Sequence, residues 1–104
     1  MTELYKKWDI WLAKIKFEDS QEIKARPVLI VQGDAVFVLS LKMTSQAKHS
    51  DTYSILEWKK AGLLKPTYIR LSKFMKLQNN DFVHKIGRLS EVDIGNLMSI
   101  LPNS

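Results

Sequence analysis

Polar and apolar residues alternate along Asp9-Ile10-Trp11-Leu12-Ala13-Lys14-Ile15-Lys16, and a period of two predicts a half-buried strand. Phe17 to Lys24 then forms a polar, charged connection. The next run, Lys24-Ala25-Arg26-Pro27-Val28-Leu29-Ile30-Val31, opens polar and becomes continuously apolar from Val28. Pro27 locks its own φ and pushes Arg26 into extended geometry, so Arg26 stands at the start of a core-facing strand beside a loop. Gly33-Asp34 separates this strand from Ala35 to Leu41, which reads as the second arm of a hairpin. Gln46 to Asp51 is a polar loop. Thr52 to Trp58 reads as a further strand, and Lys59-Lys60-Ala61-Gly62 as one helical turn stopped by glycine. After Pro66 the segment Thr67 to Lys73 places Tyr68, Arg70 and Ser72 on one face and Ile69 and Leu71 on the other, so Arg70 is expected toward solvent or ligand.

Toward the C-terminus, Asp81 to Ile86 predicts a short helix ending at Gly87. Ser90 starts a second helix, with Asp93 at the capping-box position and Leu89 and Ile94 placed for a hydrophobic staple. Its apolar stripe is Ile94, Leu97, Met98 and Leu101, and Pro102 follows its end. Short strands with a terminal helix fit a mainly β protein with a few helices, a small partly open β-barrel with helices packed outside. Residues 1–104 are expected to form one domain, without repeats or linkers.

Composition narrows the chemistry. The 104 residues are 45% hydrophobic and 26% charged, an ordinary globular balance. No apolar run approaches the roughly 20 residues that span a bilayer, and Met1 to Lys7 lacks a signal-peptide core, so a cytoplasmic protein is expected. With no cysteine and 2 histidines, disulfides, thiol nucleophiles and thiolate zinc sites are excluded and metal ligation is poorly supplied. A net charge of +5 favours a polyanionic partner, nucleic acid first and an acidic protein surface second.

Arg26 is either a plain surface charge or a preorganised fork for phosphate or carboxylate. Thr44-Ser45 reads by itself as turn chemistry at a strand end. His49 carries an imidazole, whose unperturbed pKa lies close to neutrality, and is a solvated loop residue or an acid–base group, whereas His84 falls among Phe82, Val83 and Ile86 and faces solvent or packs at a helix end. Glu18, Asp19 and Glu22 form an acidic loop, best read as solvated. Trp11 is assigned to core or interface. Trp8 and Trp58 serve packing first and base stacking second. Lys7, Lys14, Lys16, Lys42, Lys48, Lys73 and Lys76 are scattered candidates for phosphate contacts.

Three blocks, Trp8-Asp9-Ile10-Trp11 with Lys24 to Val31, Leu39-Ser40-Leu41-Lys42-Met43-Thr44-Ser45, and Lys85-Ile86-Gly87-Arg88-Leu89-Ser90, stand in the order and spacing of the PemK/MazF toxins. The chain resembles that family over nearly its whole length. The resemblance implies an SH3-like barrel, a homodimer, and a type II toxin that cuts single-stranded RNA without metal or cofactor and is inhibited by an antitoxin protein. Arg26 and Thr44 match positions that resemble the family's active-site arginine and threonine, which implies that they converge. The expected catalytic set is Arg26, Thr44 and His49, with Lys24, Ser45, Lys48, Arg70 and Ser72 as RNA contacts. In one branch of the family the later strand carries an arginine followed two residues on by an aspartate, cast as acid and base; here those positions read Arg70 and Ser72. A serine hydroxyl is too weak an acid or base at neutral pH to inherit that role. Other toxins of this fold bind DNA gyrase without cutting RNA, which leaves a non-catalytic inhibitor, or a plain nucleic-acid-binding barrel, as alternatives.

Overall fold

The structure is a computed structural model that describes residues 4–16, 22–33, 38–46 and 51–101. Six strands, β1 (Asp9–Lys16), β2 (Ile23–Gly33), β3 (Val38–Thr44), β4 (Thr52–Ser54), β5 (Tyr68–Leu77) and β6 (Phe82–Arg88), are followed by one helix, α1 (Glu91–Ile100). All pair antiparallel in a single sheet of order β4-β5-β3-β2-β1-β6, which stays open between β4 and β6. The expected mainly β, partly open architecture with a C-terminal helix is the one observed.

Alternation along the strands gives the sheet two apolar faces. Ile10, Leu29, Leu41, Met43 and Ile69 bury on one face beneath Ile55, Ala61, Leu63, Leu89 and Leu97, contributed by the irregular stretch after β4 and by α1 with its lead-in. On the other face Ala13, Ile15, Val28 and Leu77 bury with Trp11, Met75 and Phe82 packed against them. Trp11 and Phe82 lie edge to face at 5.7 Å, and Tyr5 packs on both rings. Trp8 belongs to the first core, so it is not a base-stacking platform. Its φ of 78° is left-handed, a strained conformation for so bulky a residue, and it is fastened on both sides: its N–H donates to Ile30 O at 2.9 Å and its carbonyl accepts from Leu89 N–H at 3.1 Å. Trp58 packs against the same core with the Lys59 ammonium 5.5 Å from its ring centre.

Several boundaries differ from the sequence reading. Residues 82–88 form an edge strand on β1, not a helix, and residues 79–81 form one 3₁₀ turn before it. Gly87 is therefore not a helix stop. A Cβ there would meet Ala61 O at 2.1 Å, so the strand backbone lies directly on the turn at Ala61-Gly62, and Gly62 itself has φ +91°. The expected strand 52–58 ends at Ser54, and β5 continues to Leu77, beyond the expected Lys73. In α1, Leu97 is fully buried and Ile94 and Leu101 pack on the core, but Met98 is 52% exposed and leaves the stripe.

The early end of β4 has a cause in Asp93. Ser90 caps α1 by accepting from Asp93 N–H, while the Asp93 carboxylate, 0% exposed, accepts from the Ser90 hydroxyl at 3.4 Å and reaches on beyond the helix. It accepts from Tyr53 Oη at 2.6 Å, Leu56 N–H at 2.8 Å and Glu57 N–H at 3.0 Å. Those two amides are thereby drawn into a turn and are not available to a strand ladder. Burial, and next the bond to Asp93, push the Tyr53 phenol up to about 12. A raised phenol leaves its stabilising contribution intact below the unfolded value of about 10 and loses it as pH climbs toward the folded value.

Asp93→Ala is expected to destabilise the fold by about 3 kcal/mol, since it strands two half-buried amides and a phenol, and to lower Tm by more than about 10 °C in calorimetry. Tyr53→Phe should cost only about 1 kcal/mol. Gly87→Ala should be as damaging as Asp93→Ala, because backbone on both sides of the contact has to move.

Candidate functional site

Pairing register sets up one corner of the sheet. Arg26 on β2 lies opposite Ala13 of β1. On its other side, the β2–β3 register pairs Ile30 with Ser40, Leu29 with Leu41 and Val28 with Lys42. The β2–β3 ladder ends at that last pair; Arg26 lies two residues beyond it along β2 and Thr44 two residues beyond it along β3, where Thr44 pairs with Tyr68 of β5 and, through it, with Ser54 of β4. Residues in one such row point to the same side of a sheet, here the face that carries Ala13 and Val28. Arg26 and Thr44, 18 positions apart in sequence, thus fall on neighbouring strands and on one face. Arg26 is exposed, and its Nη1 bonds Ala25 O at 3.3 Å. Thr44 Oγ1 accepts from Gln46 N–H at 3.1 Å, a local turn bond in which the hydroxyl oxygen acts as acceptor and its own O–H proton is the group able to donate.

Arg70 enters the corner from β5. It pairs with Thr52 of β4, two residues from Tyr68 on the same face. It does not simply face solvent: its Nε donates to Asp51 Oδ1 at 2.9 Å, and the two side chains are only 14% and 22% exposed. Ser72 donates from its amide to Asp51 Oδ2 at 3.3 Å and from its hydroxyl to the same oxygen. The carboxylate that the sequence lacks at position 72 is thus present in space, contributed by Asp51 just before β4. The Ser72 hydroxyl, joined by the Arg70 guanidinium and outweighing partial burial, holds the Asp51 carboxyl well below the usual carboxylate range.

Of the other expected site residues, Lys24 lies on β2 opposite Ile15, on the same face as Arg26, and Ser45 is exposed at the end of β3. Lys48 and His49 lie outside the described residues, as do Glu18 and Asp19. His84 is exposed on β6, with Nδ1 3.2 Å from Lys85 O. Among the described residues, no three His, Asp or Glu side chains group to hold a metal ion. Asp51 is the residue that sequence reading missed. Its one legible signal is its position beside a short strand, preceding a segment whose partner carries an arginine.

An open antiparallel sheet with one terminal helix defines a small, mainly β protein. The chain belongs to the PemK-like, MazF-like toxins of type II toxin-antitoxin systems, whose family model matches residues 6–103. The fold is similar to that of the Mycobacterium tuberculosis toxin MazF-mt6, with a TM-score of 0.69 at 20% sequence identity over 88% of this chain and 89% of that one. Among curated proteins nothing matches the sequence.

The Asp51 geometry gives a pH expectation. A carboxylate whose folded pKa is depressed adds stability above its unfolded value of about 3.9 and loses it as pH falls below. In acid titrations followed by circular dichroism, the wild-type chain should be more stable than Asp51→Asn above about pH 4, and the gap should narrow at lower pH. A constant gap down to pH 2 would contradict the tie to Arg70 and Ser72.

Proposed function

We propose that this chain is a toxin that cuts single-stranded RNA by attack of the ribose 2′-OH on the adjacent phosphorus, without a metal or cofactor. The observation that supports this reading is that exposed Arg26 on β2 and Thr44 on the neighbouring β3 lie on the same sheet face, each two residues past the Val28–Lys42 pair, with Arg70 on that face from β5, in a chain of the PemK/MazF family. Arg26 offers its fork to the non-bridging phosphate oxygens, and Thr44 O–H donates to the same group as charge develops on the phosphorane. Lys24 and Ser45 extend the contact along the RNA backbone. Ser72 cannot be the base because its hydroxyl is spent on Asp51, and Asp51 is a poor base because its conjugate acid is too strong. His49, whose imidazole has the unperturbed pKa nearest neutrality, is assigned to proton transfer. The toxin acts as a homodimer in the cytoplasm, and its antitoxin covers the same basic corner with an acidic or amphipathic extended segment.

Cleavage is expected to proceed in excess chelator and to leave a 2′,3′-cyclic phosphate and a 5′-OH. A 2′-deoxyribose at the cut position should block it completely. Arg26→Ala should reduce the rate on the order of 100-fold and Thr44→Ala somewhat less, comparable to losing one preorganised donor, with both variants folded. His49→Ala should lower the rate and remove the limb of the pH profile near neutrality. Cutting of the deoxy-substituted strand, or full activity in folded Arg26→Ala, would refute the mechanism.

Light scattering should give about twice the 12.0 kDa chain mass. RNA and antitoxin should each weaken the other's binding, and simultaneous binding without mutual loss would exclude occlusion.

A further inference from the structure

Asp51 has no step of its own in that chemistry, yet four donors of β5 converge on it. Its Oδ1 accepts from Arg70 Nε at 2.9 Å, its Oδ2 from the Ser72 amide and hydroxyl, and its main-chain oxygen from Leu71 N–H at 2.7 Å. These donors lie where β5 leaves β3. Leu41 pairs with Phe74 and Met43 with Ile69, so residues 70–73 of β5 bow out opposite Lys42 alone. A bow of this kind would leave a long guanidinium without a fixed direction. Asp51 supplies the direction, through a charge-assisted bond to Nε and through two amides of the bow itself.

We propose that Asp51 is the positioning residue of the site: it fixes the Arg70 guanidinium on the Arg26–Thr44 face as a second preset cation for the scissile phosphate, and Ser72 serves as its anchor. This rests on the nuclease reading above, and it changes the expected part of Ser72 from RNA contact to support. The electrostatics separate two effects. An anion beside the phosphate path opposes RNA binding, so Asp51 contributes nothing to affinity through charge; a guanidinium fixed before the reaction lowers the barrier without reorganisation. Asp51 should therefore matter for rate and not for binding. The strongly acidic character of its carboxyl keeps it anionic throughout the working range, as a fixed orienting group must be.

The test uses an RNA with one cleavable position, and its uncleavable 2′-deoxy counterpart as the binding probe, on chains checked for folding by circular dichroism. Asp51→Asn should lower kcat by about 10- to 100-fold while KM and the Kd for the probe stay level or fall. Ser72→Ala, which keeps the Arg70 contact, should show a smaller loss of the same kind. The exchange Asp51→Ser with Ser72→Asp, which returns a carboxylate to the vicinity of Arg70 from β5 itself, should recover at least about tenfold in kcat over Asp51→Ser alone. An unchanged kcat in Asp51→Asn would overturn the proposal, and so would a rise in both affinity and kcat, which would make Asp51 a mask over Arg70. Should Asp51→Asn fail to fold, Ser72→Ala decides by the same split between kcat and KM. A wild-type chain that cuts no RNA would sink the nuclease reading instead. Asp51 is then judged on the Arg70 guanidinium itself by NMR: the Arg70 Nε–H must exchange slowly with solvent in the wild type and lose that protection in Asp51→Asn, and equal protection in the two chains overturns the positioning role.

Discussion

The buried carboxylate of Asp93 is the fastening that the rest of this small fold depends on. An open sheet with two apolar faces needs a cover for each, and the cover over the first face is one ten-residue helix with its lead-in, joined by the irregular stretch after β4. Apolar contact alone would let such a helix slide. Asp93 prevents this by accepting from the phenol of β4 and from two amides of the turn that follows, so that helix, strand and turn share one buried anion. A buried anion is tolerated only where its donors are fixed, and removing it leaves those donors unsatisfied. The backbone approach of Gly87 to the Ala61-Gly62 turn fixes the same cover from the β6 side.

Two of the three blocks that carry the family resemblance turn out to be one structural unit. Leu89 N–H donates to the Trp8 carbonyl, and Asp9, 1% exposed, is ion-paired with Arg88 at 3.1 Å and Lys85 at 3.5 Å. The start of β1 is thereby locked to the end of β6. The remaining block, with the Arg-Pro opening of β2, supplies the exposed corner. Scaffold and chemistry are therefore divided along the chain: aromatic, acidic and glycine positions at the two ends hold the sheet, and the strands between them present arginine and hydroxyl groups.

What the sequence made legible follows from what each element rests on. The first strand shows a clear period of two because each of its faces meets a different core, and its bounds were read without error. The Ser90 cap and the Leu97 stripe are local signals and were also readable. β6 was not. It is a half-exposed edge strand whose partner, β1, kinks its register twice, so Phe82 to Arg88 shows no clean alternation, and Asp81 and Gly87 mimic a helix start and stop. β4 was overextended because the force that ends it, the claim of Asp93 on two amides, comes from some 40 residues away. The motif singles out Arg26 and Thr44, but that they share a face of neighbouring strands is a matter of register, which no single strand reveals.

Asp51 marks where reading by motif stops and reading by space begins. A search along β5 for a carboxylate two residues after Arg70 ends at Ser72, and the position looks emptied of charge. Strand pairing makes the distance along the chain irrelevant, because β4 runs beside β5 and the residue just before it reaches both Arg70 and Ser72. Serine is then not a loss but a complement: a short donor side chain leaves room for a carboxylate arriving from outside the strand and bonds to it. An aspartate at 72 facing Asp51 would place two anions in one small space, and one of them would have to be protonated or displaced. The two positions are thus coupled, and a carboxylate is expected at one or the other of them, beside the same arginine.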